Sequence, residues 1–399
     1  MNPFRHPLLT GATVAGLFAL ALNSFTPAAA DDCSRAPDVA PPTRGDDGAP
    51  RCQKPVAAEQ SPRIDVVFVV DTTGSMGGLI EGAKRKVWSI ANEILSGRPR
   101  PRVSVGLIAY RDRGDAYVTQ VTPLTEDLDA IYARLQGFRA EGGGDGPEHV
   151  NRGLHDAFSA IRWNEDSQLK LVYLVGDAPA HRDYDQEIDY ARIVPEARQR
   201  GIVVNAVLCG NSGAARRQFV EISRLGGGEF FQIAQDGGMT AVATPYDERL
   251  RRLARELEET RVVYGSRAER KKAAERRAEV LEMDGEAAAA RASAVSKMAP
   301  SAPAAGGSKD LVAAFEEGRL DEVREAELPE PLQGLSESER KAKLAALAAR
   351  RKAVERELAE LAKKRDEYQR AHAPRDGFDA RVLDALKRRA QAAGIHYER

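Results

Sequence analysis

Asp71, Thr73 and Ser75 stand at alternate positions directly after an apolar run at residues 66–70. One carboxylate and two hydroxyls in so short a loop have hard-cation binding as their simplest chemical use. The run itself, Val66, Val67, Phe68, Val69 and Val70, has the length and β-branched content of a strand buried on both faces, and Gly74 permits a tight turn after it. Ligands of open α/β sheets lie outside the carboxyl ends of strands, which is where these side chains fall. The competing use is structural, with Asp71 and Ser75 capping a helix from about residue 77 to 96. Taken alone, the segment leaves both uses open.

Two further segments favour the functional use. Residues 169–175 form a second apolar run that leads to Gly176-Asp177. Between the runs lies Glu141-Gly142-Gly143-Gly144-Asp145-Gly146-Pro147-Glu148, an acidic glycine-rich loop ahead of a helix expected at 149–163. Together, Asp71-Thr72-Thr73-Gly74-Ser75, this loop and Gly176-Asp177 resemble the metal-ion-dependent adhesion site of von Willebrand factor type A domains. The resemblance covers roughly residues 62–264. It implies a doubly wound, mostly parallel six-stranded sheet with helices on both faces. Suitable strands are expected near 64–71, 102–110, 117–123, 169–176, 202–209 and 229–234, and helices near 78–96, 126–138, 149–163, 189–200, 214–225 and 240–260. A tight turn at 111–116 makes one edge strand antiparallel. The resemblance further implies that Asp71, Thr73, Ser75 and Asp177 hold a divalent cation directly or through water, Mg²⁺ foremost, with Ca²⁺ or Mn²⁺ as alternatives.

The chain departs from the family pattern twice. Thr73 replaces a serine, a small change because each offers one oxygen. More consequential is the middle loop, where the family places a threonine and this chain has none between Thr125 and Thr240. Asp145 or Glu148 must then stand in, and Asp145, flanked by glycines, is the preferred ligand. Three aspartates around a dication leave a local charge of about −1. Such a site attracts a carboxylate ligand less than an adhesion domain does, and tolerates Ca²⁺ more readily. A helix beginning right after Ser75 directs its amides and positive dipole end at the site, which partly offsets the third acid. His181 follows Asp177 closely and reads as a loop histidine. Asp183, Asp185 and Glu187 read as a solvated acidic loop.

Catalysis is poorly supported. Phosphatases of the haloacid dehalogenase type need a second aspartate where Thr73 stands. There is no phosphate-cradling glycine loop followed by lysine, no zinc-binding histidine pair and no nucleophile elbow around Ser75. The expectation is therefore a non-enzymatic domain that engages a protein ligand, which donates a carboxylate or other oxygen to the cation. The alternatives are a metal-dependent hydrolase using Asp177 and His181, or an oligomeric scaffold with a purely stabilising metal.

At the N-terminus, Arg5 and His6 precede an apolar stretch at 8–22, and Ala28-Ala29-Ala30 offers a cleavage site before Asp31. This is the pattern of a signal peptide over 1–30, and it implies a periplasmic or secreted protein. A membrane anchor is the alternative reading, but Thr10, Gly11, Thr13 and Gly16 break the stretch. Cys33 and Cys52 lie in a disordered leader at 31–61 and could form a disulfide after export. Cys209, at a strand end, reads as a buried small hydrophobe.

After the α/β domain, 265–283 reads as a charged helix and 284–309 as an Ala/Pro/Gly/Ser linker. A helical tail occupies 310–399. In it, Leu344, Leu347, Val354, Leu358, Leu361 and Tyr368 form a heptad seam from about 336 to 371, interrupted by Arg351 and Arg365. A hairpin with a second helix at 379–393, across the turn 373–377, is preferred over self-association as a coiled coil. A net charge of −1 with 30% charged residues implies neither nucleic acid nor an anionic membrane as partner.

Overall fold

In the computed structural model, which describes residues 61–144, 146–184, 188–233, 243–283, 285–297, 309–372 and 378–397, the apolar run after Arg63 is the central strand of a sheet. The expected signal peptide, the leader with Cys33 and Cys52, Asp145, Asp185, Glu187 and the turn 373–377 lie outside the described residues. The strands are β1 (Arg63–Asp71), β2 (Arg102–Tyr110), β3 (Thr119–Thr125), β4 (Leu169–Gly176), β5 (Ile202–Cys209) and β6 (Gly227–Ile233). Their spatial order is β3-β2-β1-β4-β5-β6. All neighbours pair in parallel except β2 and β3, so the expected antiparallel edge is present. The order in which strands are added reverses between β1 and β4, a switch point at whose carboxyl strand ends open α/β sheets form their ligand crevice. The register sets Asp71 opposite Tyr110 and Val70 opposite Val175, which brings Asp71 and Asp177 to that crevice.

The continuous hydrophobicity of β1 follows from burial on both faces. Ile64, Val66, Phe68 and Val70 pack with α1 (Ile80–Ile94) and α2 (Leu128–Gln136). Val67 and Val69 face α3 (Val150–Ser159), α4 (Tyr190–Gln199) and α5 (Gly213–Leu225). Side-chain caps fix three of these starts: Asp127 for α2, Asp189 for α4 and Ser212 for α5. The first helix does not begin right after Ser75. A 3₁₀ turn occupies Gly74–Gly78 and α1 starts only at Ile80, because Gly74, Gly77 and Gly78 are poor helix formers. The full dipole of α1 therefore starts about a turn beyond the loop hydroxyls.

The C-terminal half differs most from its sequence reading. The helices α6 (Asp247–Glu259), α7 (Arg267–Glu282), α8 (Gly285–Lys297), α9 (Leu311–Glu316), α10 (Glu337–His372) and α11 (Phe378–Ala392) belong with the sheet to one compact unit, 59–399. Part of the stretch read as a linker is thus helical. Ala289 and Ala292 of α8 meet Leu250, Leu253, Ala254 and Leu257 of α6, because alanine methyls let two helices approach closely. Arg291 of α8, 1% exposed, lies in this packing and pairs with Asp129 of α2 and Glu258 of α6.

The heptad seam of α10 is real but covered from within the chain. Val354 and Leu358 pack on α6 and α8, and Leu344 packs beside α9. Arg351 and Arg365, which interrupt the seam, grip the two ends of α6. The Arg351 guanidinium donates to the Thr260 carbonyl (2.8 Å) and pairs with Asp310 (2.7 Å), while Arg365 donates to Asp247 (2.8 Å). Fourteen residues of helix rise about 21 Å, which matches the length of α6. The expected hairpin of α10 with the final helix is not what forms. Instead α11 lies on α1 and β6, with Val382, Ala385, Leu386, Ala390 and Ile395 in the core beside Phe231 and Ile94. Arg388 and Arg389 reach Glu229 and the Gly227 carbonyl of β6. The physical reason is that the apolar seam of α10 is already covered by α6, α8 and α9, while the apolar face of α11 finds its cover on α1 and β6. No helix among the described residues is long and apolar enough to cross a membrane.

Candidate metal centre

Asp71 ends β1 with its side chain fully buried. Its Oδ1 accepts from the Thr73 amide (2.9 Å) and the Thr73 hydroxyl (2.6 Å), and the Thr73 Oγ1 lies 3.2 Å from that of Ser75. Ser75 in turn donates to Asp177 Oδ1 at 2.9 Å. Four of the residues singled out in the sequence are therefore joined in one chain of oxygens, although Ser75 and Asp177 are 102 residues apart. The fifth, Asp145, lies outside the described residues.

The glycine-rich loop is stitched to the first loop by main-chain bonds. Gly74 N–H donates to the Gly142 carbonyl and Glu141 N–H to that of Thr72, both at 3.0 Å. The Asp115 carboxylate, itself held by the Asp112 amide, accepts from Gly143 N–H. Gly142 has φ 77° and faces Asp115 so closely that a β-carbon there would collide with the carboxylate. Gly142→Ala should consequently lower stability by about 1–2 kcal/mol from the left-handed backbone alone. It should also weaken cation binding several-fold by moving the loop, a pair of changes measurable by thermal melting and calorimetry. Gly176 is needed for a different reason: a β-carbon would overlap the Tyr110 hydroxyl, which sits beside Asp71.

Sequence reading missed Arg111. Buried just after β2, it donates to the carbonyls of Thr72 (3.1 Å) and Arg139 (2.9 Å), and its guanidinium lies over the Tyr117 ring. It thus ties the first loop to the entry of the glycine-rich loop. The available signal was a charged cluster, Arg111-Asp112-Arg113-Gly114-Asp115, at the carboxyl end of the strand beside β1.

Glu148 is the other acid at the site, 2% exposed, with Oε1 packed close to Gly143 beside Thr73. Burial pushes its pKa up to about 8, reinforced by the charges of Asp71 and Asp112. Burial likewise raises Asp71 to about 7 against the lowering effect of its Thr73 hydrogen bonds, and raises Asp177. Two carboxylate oxygens, Asp71 Oδ2 and Glu148 Oε2, are buried without a hydrogen-bond partner. With hydroxyls interposed, no three His, Cys, Asp or Glu side chains among the described residues gather as a metal cage. The donor set is nevertheless all oxygen, which suits a divalent cation.

The His181 ring, expected as a loop residue, is buried. It bonds Asp183 through Nδ1 (2.7 Å), stacks on Tyr184 and lies 3.4 Å from Asp112. Asp183 is 77% exposed, in keeping with a solvated loop. Cys209 is a free, buried thiol whose pKa is pushed up by that burial, as a small hydrophobe's would be.

This sheet, with its flanking helices and its strand-end crevice, is the von Willebrand factor A fold, and residues 65–245 match the family model described as VWA_4, von Willebrand factor A domain. Among curated proteins, the chain is 30% identical over 126 residues to the alpha-protein kinase vwkA of Dictyostelium discoideum, covering 31% of this chain and 20% of that one. It is 38% identical over 88 residues to von Willebrand factor A domain-containing protein 7 of Rattus norvegicus, covering 22% and 9% respectively. The chain thus spans a fifth or less of the length of these relatives. Among solved structures, the SpRpn10 VWA domain aligns at 17% identity and a TM-score of 0.34, covering 43% of this chain and 88% of that one.

Proposed function

We propose that the domain binds a divalent cation at its strand-end crevice and uses it to hold a protein partner. Asp71, Thr73, Ser75 and Asp177 are the residues that would hold the ion, with Mg²⁺ the first choice and Ca²⁺ or Mn²⁺ as alternatives. Asp145 remains a further proposed ligand. The observation that carries this reading is the fully buried Asp71 carboxylate, whose Oδ2 has no hydrogen-bond partner while Oδ1 is linked through two hydroxyls to Asp177. Leaving a buried carboxylate oxygen unpartnered is unfavourable, and a cation would relieve it. The ion would supply a fixed positive charge with room for one outside oxygen. The protein's own part is to hold Asp71 and the hydroxyls in place through Arg111 and the glycine-rich loop. The role is one of binding without catalysis, in keeping with the general character of von Willebrand A domains. Engagement of His181 by Asp183 and Tyr184 gives the hydrolase alternative little support. We also read the protein as exported, on the strength of its N-terminal sequence.

The experiment is capture of partners from the organism's extracellular and periplasmic fractions on the immobilised protein, with Mg²⁺ or EDTA and with Asp71→Ala in parallel. Partners retained with Mg²⁺ and lost in both other arms are the expected result. Equal capture in all three arms would refute the reading.

A further inference from the structure

Helices α4 and α5 run back along the sheet toward the amino ends of its strands, and a groove of about 510 Å³ lies where they end. Pro195 and Leu225 give it apolar surface, and Arg198, Gln199 and Arg224 line it with exposed polar side chains. Because β5 starts at Ile202 and β6 at Gly227, this groove sits at the opposite end of the sheet from Asp71 and Asp177. Its two arginines are uncommitted: neither has an ion-pair or side-chain hydrogen-bond partner among the described residues. The acids nearest in sequence are engaged elsewhere, Glu196 with Arg192 (3.5 Å), Glu221 with the Tyr190 hydroxyl (2.7 Å) and Glu229 with Arg388 (2.8 Å). Basic side chains in a last helical turn commonly complement the carbonyl end of the dipole. Here main-chain groups already meet those carbonyls, Gly201 N–H donating to Arg198 and Gly226 N–H to Ile222, both at 2.9 Å. Arg198 is also held in position. Its guanidinium packs on Gly227, where a β-carbon would come to 3.0 Å from Nε, and Arg389 of α11 donates to the Gly227 carbonyl.

We propose that this groove is a second docking site, which takes an extended acidic segment of a protein partner. Carboxylates of the segment meet Arg198 and Arg224, and an apolar side chain between them rests on Pro195 and Leu225. The fork of a guanidinium matches a carboxylate with two parallel hydrogen bonds, and two such forks fix the direction of a short peptide. A free phosphate fits less well, since the amide ends of helices cradle that ion and here two helices present their carbonyl ends. The apolar floor likewise rewards a side chain rather than a bare ion, and the volume falls within the roughly 300–1,000 Å³ of ligand sites. Docking here needs no metal, so one domain can hold two partners, one at each end of its sheet.

The test uses the full chain and fluorescence anisotropy with three labelled peptides: one alternating leucine and glutamate, one with lysine for glutamate and one with serine for leucine. The variants are Arg198→Gln with Arg224→Gln, the charge-reversed Arg198→Glu with Arg224→Glu, and Arg192→Gln as a control that removes a charge from α4 outside the groove. Each is confirmed as folded by its melting curve. The wild type should bind the leucine–glutamate peptide, equally in Mg²⁺ and EDTA, and bind the other two peptides more weakly. Loss of both guanidinia should weaken that binding by about tenfold or more, as loss of charged hydrogen bonds does, and charge reversal should abolish it. Arg192→Gln should match the wild type. No binding of the acidic peptide by the wild type, or equal binding by the two double variants, would overturn the proposal. So would an equal loss in Arg192→Gln, which would mean diffuse charge attraction. Displacement of the peptide by inorganic phosphate, at ionic strength matched with sodium chloride, would assign the groove to small anions and overturn the peptide. Binding that disappears in EDTA or in Asp71→Ala would place the peptide at the cation crevice instead.

Discussion

Replacing Arg291 with methionine should lower the unfolding free energy by about 3–5 kcal/mol, the usual loss when one partner of a buried ion cluster is removed. The guanidinium donates to both Asp129 oxygens (2.6 and 2.7 Å) and to Glu258 (2.9 Å), so it joins α2, α6 and α8 at one buried point. Methionine fills a similar volume but leaves two acids without their main counter-charge, although Glu258 keeps Arg261 at 3.2 Å. In a unit spanning 59–399 the loss corresponds to a fall of roughly 4–7 °C in melting temperature. Replacing all three charges together, Arg291→Met with Asp129→Leu and Glu258→Met, should recover most of it, because a packed apolar cluster escapes desolvation altogether. Denaturant titration of the single and triple variants checks both. A loss below 1 kcal/mol in Arg291→Met would mean that the two acids find water.

Stability without a cation should fall as pH rises from about 4 to about 8, and Mg²⁺ should abolish the fall. The sign follows from the raised carboxyl groups at the crevice. Asp71 holds its proton up to about pH 7 and Glu148 up to about pH 8 in the fold, while unfolded carboxyls release theirs near pH 4. Between those limits the folded chain binds more protons than the unfolded one, so each added pH unit favours unfolding. The Asp71 charge is part of what raises Glu148, so their effects overlap, and a loss on the order of 4 kcal/mol, about one full shift, is expected rather than the sum of two. A bound dication stabilises the ionised form and removes the slope. The gain in melting temperature on adding Mg²⁺ should therefore be larger at pH 8 than at pH 5. Asp71→Asn should melt higher than the wild type in EDTA at pH 8 and gain nothing from Mg²⁺. Equal gains at the two pH values would contradict the assignment.

The sheet was readable because each buried strand is a short apolar run ending in punctuation. Residues 66–70 stop at Asp71 and 169–175 at Gly176-Asp177, and such stops carry most of the topology of a parallel sheet. The convergence of Asp71, Thr73, Ser75 and Asp177 was legible for the same reason, since strand ends share one edge. Arg111 was not, because its work is hydrogen bonding to main-chain carbonyls, which leaves no mark in residue type. The C-terminal half resisted reading through its arginines. Locally, Arg291 in an alanine-rich stretch resembles solvated linker, and Arg351 and Arg365 resemble defects in a seam. Their partners are 162 residues away for Arg291 and 91 and 118 residues away for the other two, so burial of these charges has no local signature. Composition also undervalued alanine. Small methyls on α8 bury well against leucines although they add little to a hydropathy average.

The cover that α11 lays over β6 also bears on how quickly this protein can reach its native state. Arg388 and Arg389 meet their strand partners across 159 and 162 residues of intervening chain. Closing so large a loop comes late, because its entropy must be surrendered before the contact gives anything back. During synthesis, β6 leaves the ribosome well ahead of the helix that shields it, so Phe231 and its neighbours stay open to chaperones in the interval.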